Sequence, residues 1–166
     1  MDISLKSTVL LLSILGCGLT AGLCFTWTNA VTPGIGRLDD LTYLKSFQAM
    51  NRAILNPLFL AVFLGPIPLL FCNVFLQRNP TTWEFWTLLL AALLFCFGIG
   101  WVTIFRNVPL NNILDQSLLE QLSVQDLKAL RKKFETPWNY WHLVRTLTSS
   151  IAFALLLIGI LFHKSS

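Results

Sequence analysis

Residues 85–105, FWTLLLAALLFCFGIGWVTIF, contain no Asp, Glu, Lys or Arg. A membrane-crossing helix needs about 20 mostly apolar residues, so this stretch alone predicts one. Three further charge-free runs cover residues 7–36, 53–77 and 146–163. All charged side chains therefore lie between or beside four apolar runs. This pattern predicts an all-α integral membrane protein, a four-helix bundle formed by one transmembrane domain over residues 1–166.

The composition excludes other classes of protein. Hydrophobic residues make up 55% of the chain, charged residues 12%, and the mean hydropathy is +0.67. A soluble domain carries roughly 25% charged residues, and a disordered chain is poor in apolar ones. The basic side chains are scattered through short loops without interleaved aromatic residues, so no nucleic-acid partner is expected. The expected partner is the lipid bilayer, and a homo-oligomer is compatible with the pattern.

Spans of suitable length are predicted at about residues 8–27, 57–76, 83–105 and 138–162. The fourth begins well before its charge-free run, because residues 146–163 alone are short for a span. Arg145 then lies within a membrane helix. A charge is costly there unless it pairs, reaches the interface or faces a wet cavity.

The distribution of basic residues predicts the orientation in the cell membrane. One side, with both termini and a short turn, carries Lys6, Arg78 and Lys164. The other side carries a larger set: Arg37, Lys45, Arg52, Arg106, Lys128, Arg131, Lys132 and Lys133. Loops rich in basic residues stay in the cytoplasm. We therefore expect loops 28–56 and 106–137 to be cytoplasmic and both termini to lie outside.

The first cytoplasmic loop is expected to hold a short helix. Thr32-Pro33-Gly34-Ile35-Gly36 predicts a break in the chain, after which Asp39 or Asp40 caps a helix that reaches about Leu55. With helical spacing, its apolar positions fall on one face and its polar positions on another. It is either a short amphipathic segment at the interface or the start of a long span.

Prolines predict two further interruptions. Pro66 and Pro68 should kink span two near Gly65, and the carbonyls freed by the kink then need partners within the protein. Ser123 starts a short basic helix before span four. This helix should face lipid headgroups and end before Pro137.

The chain offers little for a metal or a cofactor. Cys17, Cys24, Cys72 and Cys96 lie in apolar runs without zinc-type spacing, and we interpret them as buried thiols. The apolar runs hold no carboxylate, whereas a di-iron helix bundle needs several inward-facing Glu and His residues. We therefore predict no metal site and no cofactor.

Polar side chains gather where the helices meet the cytoplasmic side. They form three groups with helical spacing, namely Gln48, Asn51 and Arg52, then Asn107 and Asn111, then Trp138, Trp141, His142 and Arg145. Asn56 precedes Pro57 beside the first group. The set can form a structural network that holds the bundle together. It can equally form a polar pocket for a ligand.

In order and spacing these residues resemble the anthrone-oxygenase-like family of small four-span membrane proteins, many of whose bacterial members have no assigned function. The resemblance covers essentially the whole chain. It rests on Gln48-x-x-Asn51-Arg52 with Asn56-Pro57, on Asn107-Val108-Pro109-Leu110-Asn111, and on Trp138-x-x-Trp141-x-x-x-Arg145-Thr146. One position departs, because family members commonly carry Asn-His after the second tryptophan. His142 and Leu143 follow it here, which turns the imidazole by about 100° around the helix.

The resemblance implies an oxidation of anthrones to anthraquinones without a cofactor, with molecular oxygen as the co-substrate. The ligand would be a planar apolar aromatic such as an anthrone, phenol or quinone. Such a reaction needs a base and donors for a developing oxyanion. By resemblance, His142 and Arg145 are the expected catalytic residues, with His142 as the base. The expected substrate-binding residues are Gln48, Asn51, Asn56, Asn107, Asn111, Trp138 and Trp141.

Two functions of other kinds stay open at this point. A non-catalytic membrane scaffold or subunit would use the asparagines and Arg145 as structural contacts. A small transporter would suit the broken second span, although the chain has no inverted repeat.

Overall fold

The computed structural model describes residues 4–161, which are mostly helical and contain no β-strand. The helices in chain order are α1 (Leu5–Ile35), α2 (Asp40–Ile54), α3 (Pro57–Gln77), α4 (Trp83–Asp115) and α5 (Val124–Leu161). All except α2 are long and apolar enough to cross a membrane. The expected all-α, four-helix membrane bundle is confirmed, and the protein is multi-pass. The predicted end of span four at residue 162, together with His163 and Lys164, lies outside the described residues.

The alternating helix directions give the bundle two ends. The terminal side holds the first turns of α1 and α4 and the last turns of α3 and α5. The loop side holds their opposite ends, α2 and a short 3-10 turn at Leu119–Gln121. Midway between the two ends, side chains from all four long helices form a fully buried apolar layer of Cys17, Leu70, Ala91, Phe95 and Ala152.

Side-chain caps set the boundaries of α2 and α3. Asp39 Oδ1 accepts a hydrogen bond from the Thr42 amide over 3.0 Å, as predicted for a cap at the start of α2. Hydrogen bonds from Thr42 hold the pKa of Asp39 below its ordinary value. Asn56 Oδ1 accepts from the Phe59 amide over 2.9 Å and starts α3, with Pro57 in the first helical turn. The segment after span one is therefore a separate helix and not the start of a long span.

One face of α2 is buried against α5. Tyr43 and Phe47 are 0% and 2% exposed, and the Phe47 ring lies 4.7 Å from each of the Phe134 and Trp138 rings in edge-on contacts. Burial, with the charge of Glu135 as a smaller cause, raises the pKa of the Tyr43 phenol above its ordinary range. Aromatic packing therefore fixes α2 on the loop side of the bundle.

Most of the break expected at residues 32–36 is helical. α1 passes through Pro33 and ends at Ile35, with Gly36 as its C-cap. A π-helical segment, Trp27–Val31, precedes the proline, and Thr32 Oγ1 donates to the Trp27 carbonyl over 3.2 Å. The wider π turn makes room for the proline ring, which would otherwise clash with the turn before it.

The predicted interruption of α3 at Gly65 is confirmed, and the structure provides a partner for a freed carbonyl. The helix divides into Pro57–Leu64 and Pro66–Gln77. Because Pro66 has no amide hydrogen, it cannot donate to the carbonyl four residues earlier, that of Val62. Thr20 Oγ1 of α1 donates to the Val62 carbonyl instead, over 2.9 Å.

The basic helix before span four was expected to end before Pro137, and this expectation is wrong. α5 runs without interruption from Val124 to Leu161 and contains Pro137. The two residues that flank the proline on its buried side, Phe134 and Trp138, are 1% and 5% exposed. Asn107 Nδ2 also donates to the Trp138 carbonyl over 3.3 Å. Tertiary packing on both sides outweighs the local cost of the proline.

Arg131 does not face lipid headgroups with its basic neighbours. Its guanidinium donates to the Gly36 and Leu38 carbonyls over 2.7 and 2.8 Å, just beyond the end of α1. It also pairs with Asp40 at 3.1 Å and with Glu135 at 2.7 Å. Arg131 therefore ties α1, α2 and α5 together on the loop side.

Candidate functional site

A small cavity of about 80 Å³ lies between the helices near the loop side. Aromatic side chains that line it are Trp27, Phe47, Phe59, Phe63 and Trp138. Polar side chains that line it are Asn51, Thr103, Asn111, His142 and Arg145. We call it the loop-side cavity. A mostly aromatic wall with a few converging polar groups is typical of small-molecule sites.

Arg145 is the charged member of this site and is 7% exposed. Its Nη2 donates to Nδ1 of His142 over 2.7 Å, and its Nη1 donates to Oγ1 of Thr103 over 3.3 Å. The guanidinium carbon also lies 5.2 Å from the centre of the Trp138 ring. An aromatic face attracts a cation but does not neutralise it.

No carboxylate among residues 4–161 forms an ion pair with Arg145. The ion pairs within that range join Lys45 to Glu120, Arg52 to Asp115, and Arg131 to Asp40 and Glu135. Nε of Arg145 is buried without a hydrogen-bond partner there, and so is Nε1 of Trp27, another lining residue. As far as the described residues show, the site thus combines a positive charge that pairs with no carboxylate and two unused donors.

The partners of His142 define its tautomer. An arginine can only donate, so Nδ1 of His142 must accept the bond from Arg145. Nε2 lies 3.1 Å from the Cys24 carbonyl, which can only accept, so Nε2 carries the hydrogen. His142 is therefore a neutral imidazole with both nitrogens engaged.

Trp138 links His142 to Asn111. Its ring stacks on that of His142 with 4.8 Å between centroids and 13° between planes. Its Nε1 donates to Oδ1 of Asn111 over 2.8 Å. The ring is thereby fixed in plane and orientation, and it forms a flat wall beside Arg145.

The structure brings together five of the nine residues predicted for the site. Asn51, Asn111, Trp138, His142 and Arg145 all line the loop-side cavity. They come from α2, α4 and α5. These residues are far apart in sequence and meet only because the three helices converge on the loop side.

The other four lie outside the lining and have structural contacts. Gln48 Nε2 donates to the carbonyls of Leu114 and Ser117 at the end of α4. Asn56 caps α3. Asn107 donates to the Trp138 carbonyl, while its Oδ1 is buried without a partner within residues 4–161. Trp141 receives the Arg106 guanidinium on its ring at 4.9 Å.

Sequence reasoning missed several contributors to the site, among them Trp27, Phe63 and Thr103. Trp27 and Phe63 are two of many aromatic residues in apolar runs, and Thr103 is one of several threonines there. Nothing in their spacing distinguishes them. π-helical segments begin at Trp27 and at Thr103, and such segments are frequent at functional sites. Sequence periodicity does not reveal them.

Within residues 4–161, no group of three or more His, Cys, Asp or Glu side chains is placed to hold a metal ion. The two buried lining atoms without a partner among these residues, Nε of Arg145 and Nε1 of Trp27, are instead donors. Their chemistry suits an oxygen-centred anion on a flat apolar molecule.

Fold and site together define a class of protein, a small four-span membrane bundle with an aromatic cavity around a buried cation. The family model described as Anthrone oxygenase matches residues 46–155, and the chain belongs to this family. The match begins in α2 and ends in α5, so it includes all five predicted residues that line the cavity. No curated protein and no solved structure shows a significant match to the chain.

Proposed function

We propose that the loop-side cavity binds a planar apolar aromatic of the anthrone, phenol or quinone class and holds its oxygen as an anion on Arg145. We further propose that the protein oxidises an anthrone of this class with molecular oxygen. Family membership supports the class of reaction, and the arrangement of the described residues supports the mode of binding.

The observation that carries the proposal is the buried guanidinium of Arg145 without a carboxylate partner among residues 4–161. A charge within a membrane helix is costly unless something compensates it. An oxyanion of the ligand supplies that compensation, and Nε of Arg145 and Nε1 of Trp27 are unused donors on the same cavity. Donors oriented before the ligand arrives favour its ionised form.

The reaction balances with oxygen alone. The anthrone CH₂ group loses one proton, and the resulting carbanion, stabilised as the oxyanion, forms a carbon–oxygen bond with O₂ and takes back a proton as a hydroperoxide. Loss of the second C–H proton then breaks the O–O bond, forms the new carbonyl and expels hydroxide, which leaves as water. Anthrone and O₂ thus give anthraquinone and H₂O, with the substrate oxidised and oxygen reduced.

His142 is the proposed proton acceptor, and it depends on Arg145 for this role. Its Nδ1 lone pair is occupied while Arg145 donates to it over 2.7 Å. When Arg145 turns this donor to the ligand oxygen, Nδ1 becomes free to take the proton. His142 later returns the proton to the peroxide. This change of hydrogen-bond partner by Arg145 makes the base available only when the oxyanion is bound.

Ligand entry requires the cavity to expand. Its volume of about 80 Å³ is below the roughly 300–1,000 Å³ of typical ligand pockets. Two of its lining residues, Leu55 and Val108, are also 63% and 37% exposed. Leu55 belongs to the short link between α2 and α3, so we propose that an apolar ligand enters from the bilayer between these two side chains.

The loop side is proposed to be cytoplasmic, because it carries most of the basic residues. Partner molecules in this proposal are the bilayer, the aromatic substrate and molecular oxygen. No metal or organic cofactor takes part in it.

The test is oxygen consumption by the purified full chain in detergent with anthrone as the substrate, followed by detection of anthraquinone. We expect turnover by the unaltered protein and a loss of about 10²–10³-fold with Arg145→Gln. Arg52→Gln is the control, because Arg52 forms a solvent-exposed pair with Asp115 outside the cavity. Absence of turnover with anthrone and a panel of phenols, in protein that remains folded, would overturn the proposal.

A further inference from the structure

A second and larger cavity lies at the opposite end of the bundle, on the terminal side. Its volume is about 330 Å³, within the range of small-molecule pockets. Side chains from α1, α3, α4 and α5 line it. We call it the terminal-side cavity. It contains no residue of the loop-side cavity, and the apolar layer separates the two.

The terminal-side cavity is polar at its outer end. Lys6, in the first turns of α1, donates to Oε1 of Gln77, in the last turn of α3. Both residues line the cavity, and so does Glu84 in the first turn of α4. A lysine at the end of a span is a compact donor for an anionic or strongly accepting group.

The inner end of the cavity is also polar, although it lies deep in the bundle. Asn73 is 2% exposed and lines the cavity. Its Nδ2 donates to Oγ of Ser13 over 2.8 Å and to the Leu69 carbonyl over 3.1 Å. Its Oδ1 accepts no hydrogen bond from residues 4–161. This oxygen is not sealed off by the packing of the helices, so it gives the cavity an unused acceptor at this depth.

Between these two ends the walls are aliphatic. Leu10, Leu88, Leu155 and Ile160 line this part of the cavity. Lys6 and Ser13, the partner of Asn73, are seven residues apart on α1, which corresponds to about 10 Å along the helix. The cavity therefore offers a polar outer end that contains Lys6 and Glu84, about 10 Å of apolar wall and an inner acceptor.

We infer that the terminal-side cavity is a second ligand site for a molecule with an apolar body about 10 Å long and a polar group at each end. The outer group is a neutral hydroxyl that accepts from Lys6, because the Glu84 carboxylate lines the same cavity and would repel an anion. The inner group is a hydroxyl that donates to Oδ1 of Asn73. A plain acyl chain does not meet these requirements, because its inner end would leave Asn73 without a donor.

The test uses 2,6-dihydroxyanthraquinone, a flat apolar molecule with a hydroxyl at each end of its long axis. Equilibrium dialysis against the full chain in detergent measures the number of molecules bound and their affinity. Gly159→Leu should fill the cavity, because even a Cβ at this lining position would lie 3.2 Å from Oγ1 of Thr87. Gly22→Leu is the matched control, since a Cβ there meets no atom within 4 Å.

A second variant tests the inner end without filling the cavity. Asn73→Leu removes the amide and replaces it with an apolar side chain of similar size, while Ser13 Oγ keeps its bond to the Val9 carbonyl. Loss of the ligand's hydrogen bond should weaken binding by about tenfold. Unsubstituted anthraquinone, which lacks both hydroxyls, should bind this cavity equally weakly in the unaltered protein and in Asn73→Leu.

The outcomes separate this inference from the proposed function. If both hold, the unaltered protein binds two molecules, Arg145→Gln loses one of them, and Gly159→Leu loses the other. Binding that Gly159→Leu or Asn73→Leu weakens and Arg145→Gln leaves intact supports the terminal-side site alone. Binding that neither Gly159→Leu nor Asn73→Leu changes relative to Gly22→Leu overturns it, and Asn73→Leu decides the matter if Gly159→Leu does not fold.

Discussion

Nη2 of Arg145 lies 2.7 Å from Nδ1 of His142, one helical turn away on α5. This bond determines the state of both side chains. It leaves His142 neutral, with its only basic lone pair occupied, and it holds the guanidinium against the wall of the loop-side cavity. The two residues therefore act as one unit, and their variants should differ in a characteristic way.

Replacing His142 with glutamine should separate binding from turnover. A glutamine oxygen can still accept from Arg145, but an amide is not a base. We expect oxygen consumption with anthrone to fall by about 10²–10⁴-fold, while the dissociation constant of a hydroxyanthraquinone stays near that of the unaltered protein. An oxygen electrode and equilibrium dialysis measure the two quantities. Unchanged oxygen consumption in His142→Gln would show that the proton goes elsewhere.

Replacing Arg145 with methionine should not destabilise the fold. Since no carboxylate among residues 4–161 pairs with this guanidinium, its removal leaves no buried acid behind, and an apolar side chain fills similar space. We expect a thermal midpoint in detergent equal to or above that of the unaltered protein.

The matched comparison is Arg131→Met, which should have the opposite effect. Arg131 bonds the carbonyls of Gly36 and Leu38 and two carboxylates, so its loss should cost about 1–3 kcal/mol. The same thermal measurement serves for both variants. A large destabilisation by Arg145→Met would instead favour the scaffold hypothesis, in which Arg145 is a structural contact.

Thr20→Val should destabilise the protein by weakening the contact between α1 and α3 near Gly65. The variant leaves the Val62 carbonyl without the donor that Pro66 cannot supply. Within a membrane bundle such a bond contributes about 0.6–1.7 kcal/mol, and unfolding in detergent should register a loss of that size. Thr148→Val is the control, because Oγ1 of Thr148 donates only to carbonyls of its own helix, those of Val144 and Arg145. Equal losses in the two variants would contradict the interpretation.

A close approach of α4 and α5 at Gly98 should make this glycine sensitive to substitution. A Cβ added at Gly98 would lie 2.0 Å from Oγ1 of Thr148, whereas one added at Gly22 meets nothing within 4 Å. Overpacking of this kind costs about 1–3 kcal/mol. Gly98→Ala should therefore unfold at lower temperature than Gly22→Ala. If the two alanine variants are equally stable, the helices are not in such close contact in the membrane.

The proposed orientation is testable in intact cells. In a chain whose native cysteines are replaced, a cysteine at Lys132, exposed on the loop side, should resist a membrane-impermeant thiol reagent until the cells are opened. A cysteine at Asn79, exposed in the terminal-side turn, should react at once. The reverse pattern would place the loop side outside.

Features that depend on a few neighbouring residues could be predicted from the sequence. The charge-free runs gave the four spans, Asp39 caps α2, and the prolines around Gly65 divide α3. Each follows from local chemistry. Apolar residues transfer favourably into lipid, the first amides of a helix need an acceptor from outside it, and a proline has no amide hydrogen to donate.

Features that depend on packing between helices could not be predicted. Pro137 lies within a continuous helix because Phe134 and Trp138 are buried on both sides of it. Likewise, Asn73 appears in the sequence as an isolated amide within the predicted span 57–76. Only the assembled bundle places it at the inner end of a cavity with Lys6 at the other end.

The apolar layer limits how polar species can pass between the two ends of the bundle. Cys17, Leu70, Ala91, Phe95 and Ala152 are all fully buried, and they lie between the two cavities. Ions and protons that reach either cavity meet hydrocarbon before they reach the other. The layer therefore places apolar side chains between the buried guanidinium of Arg145 and the terminal side of the bundle.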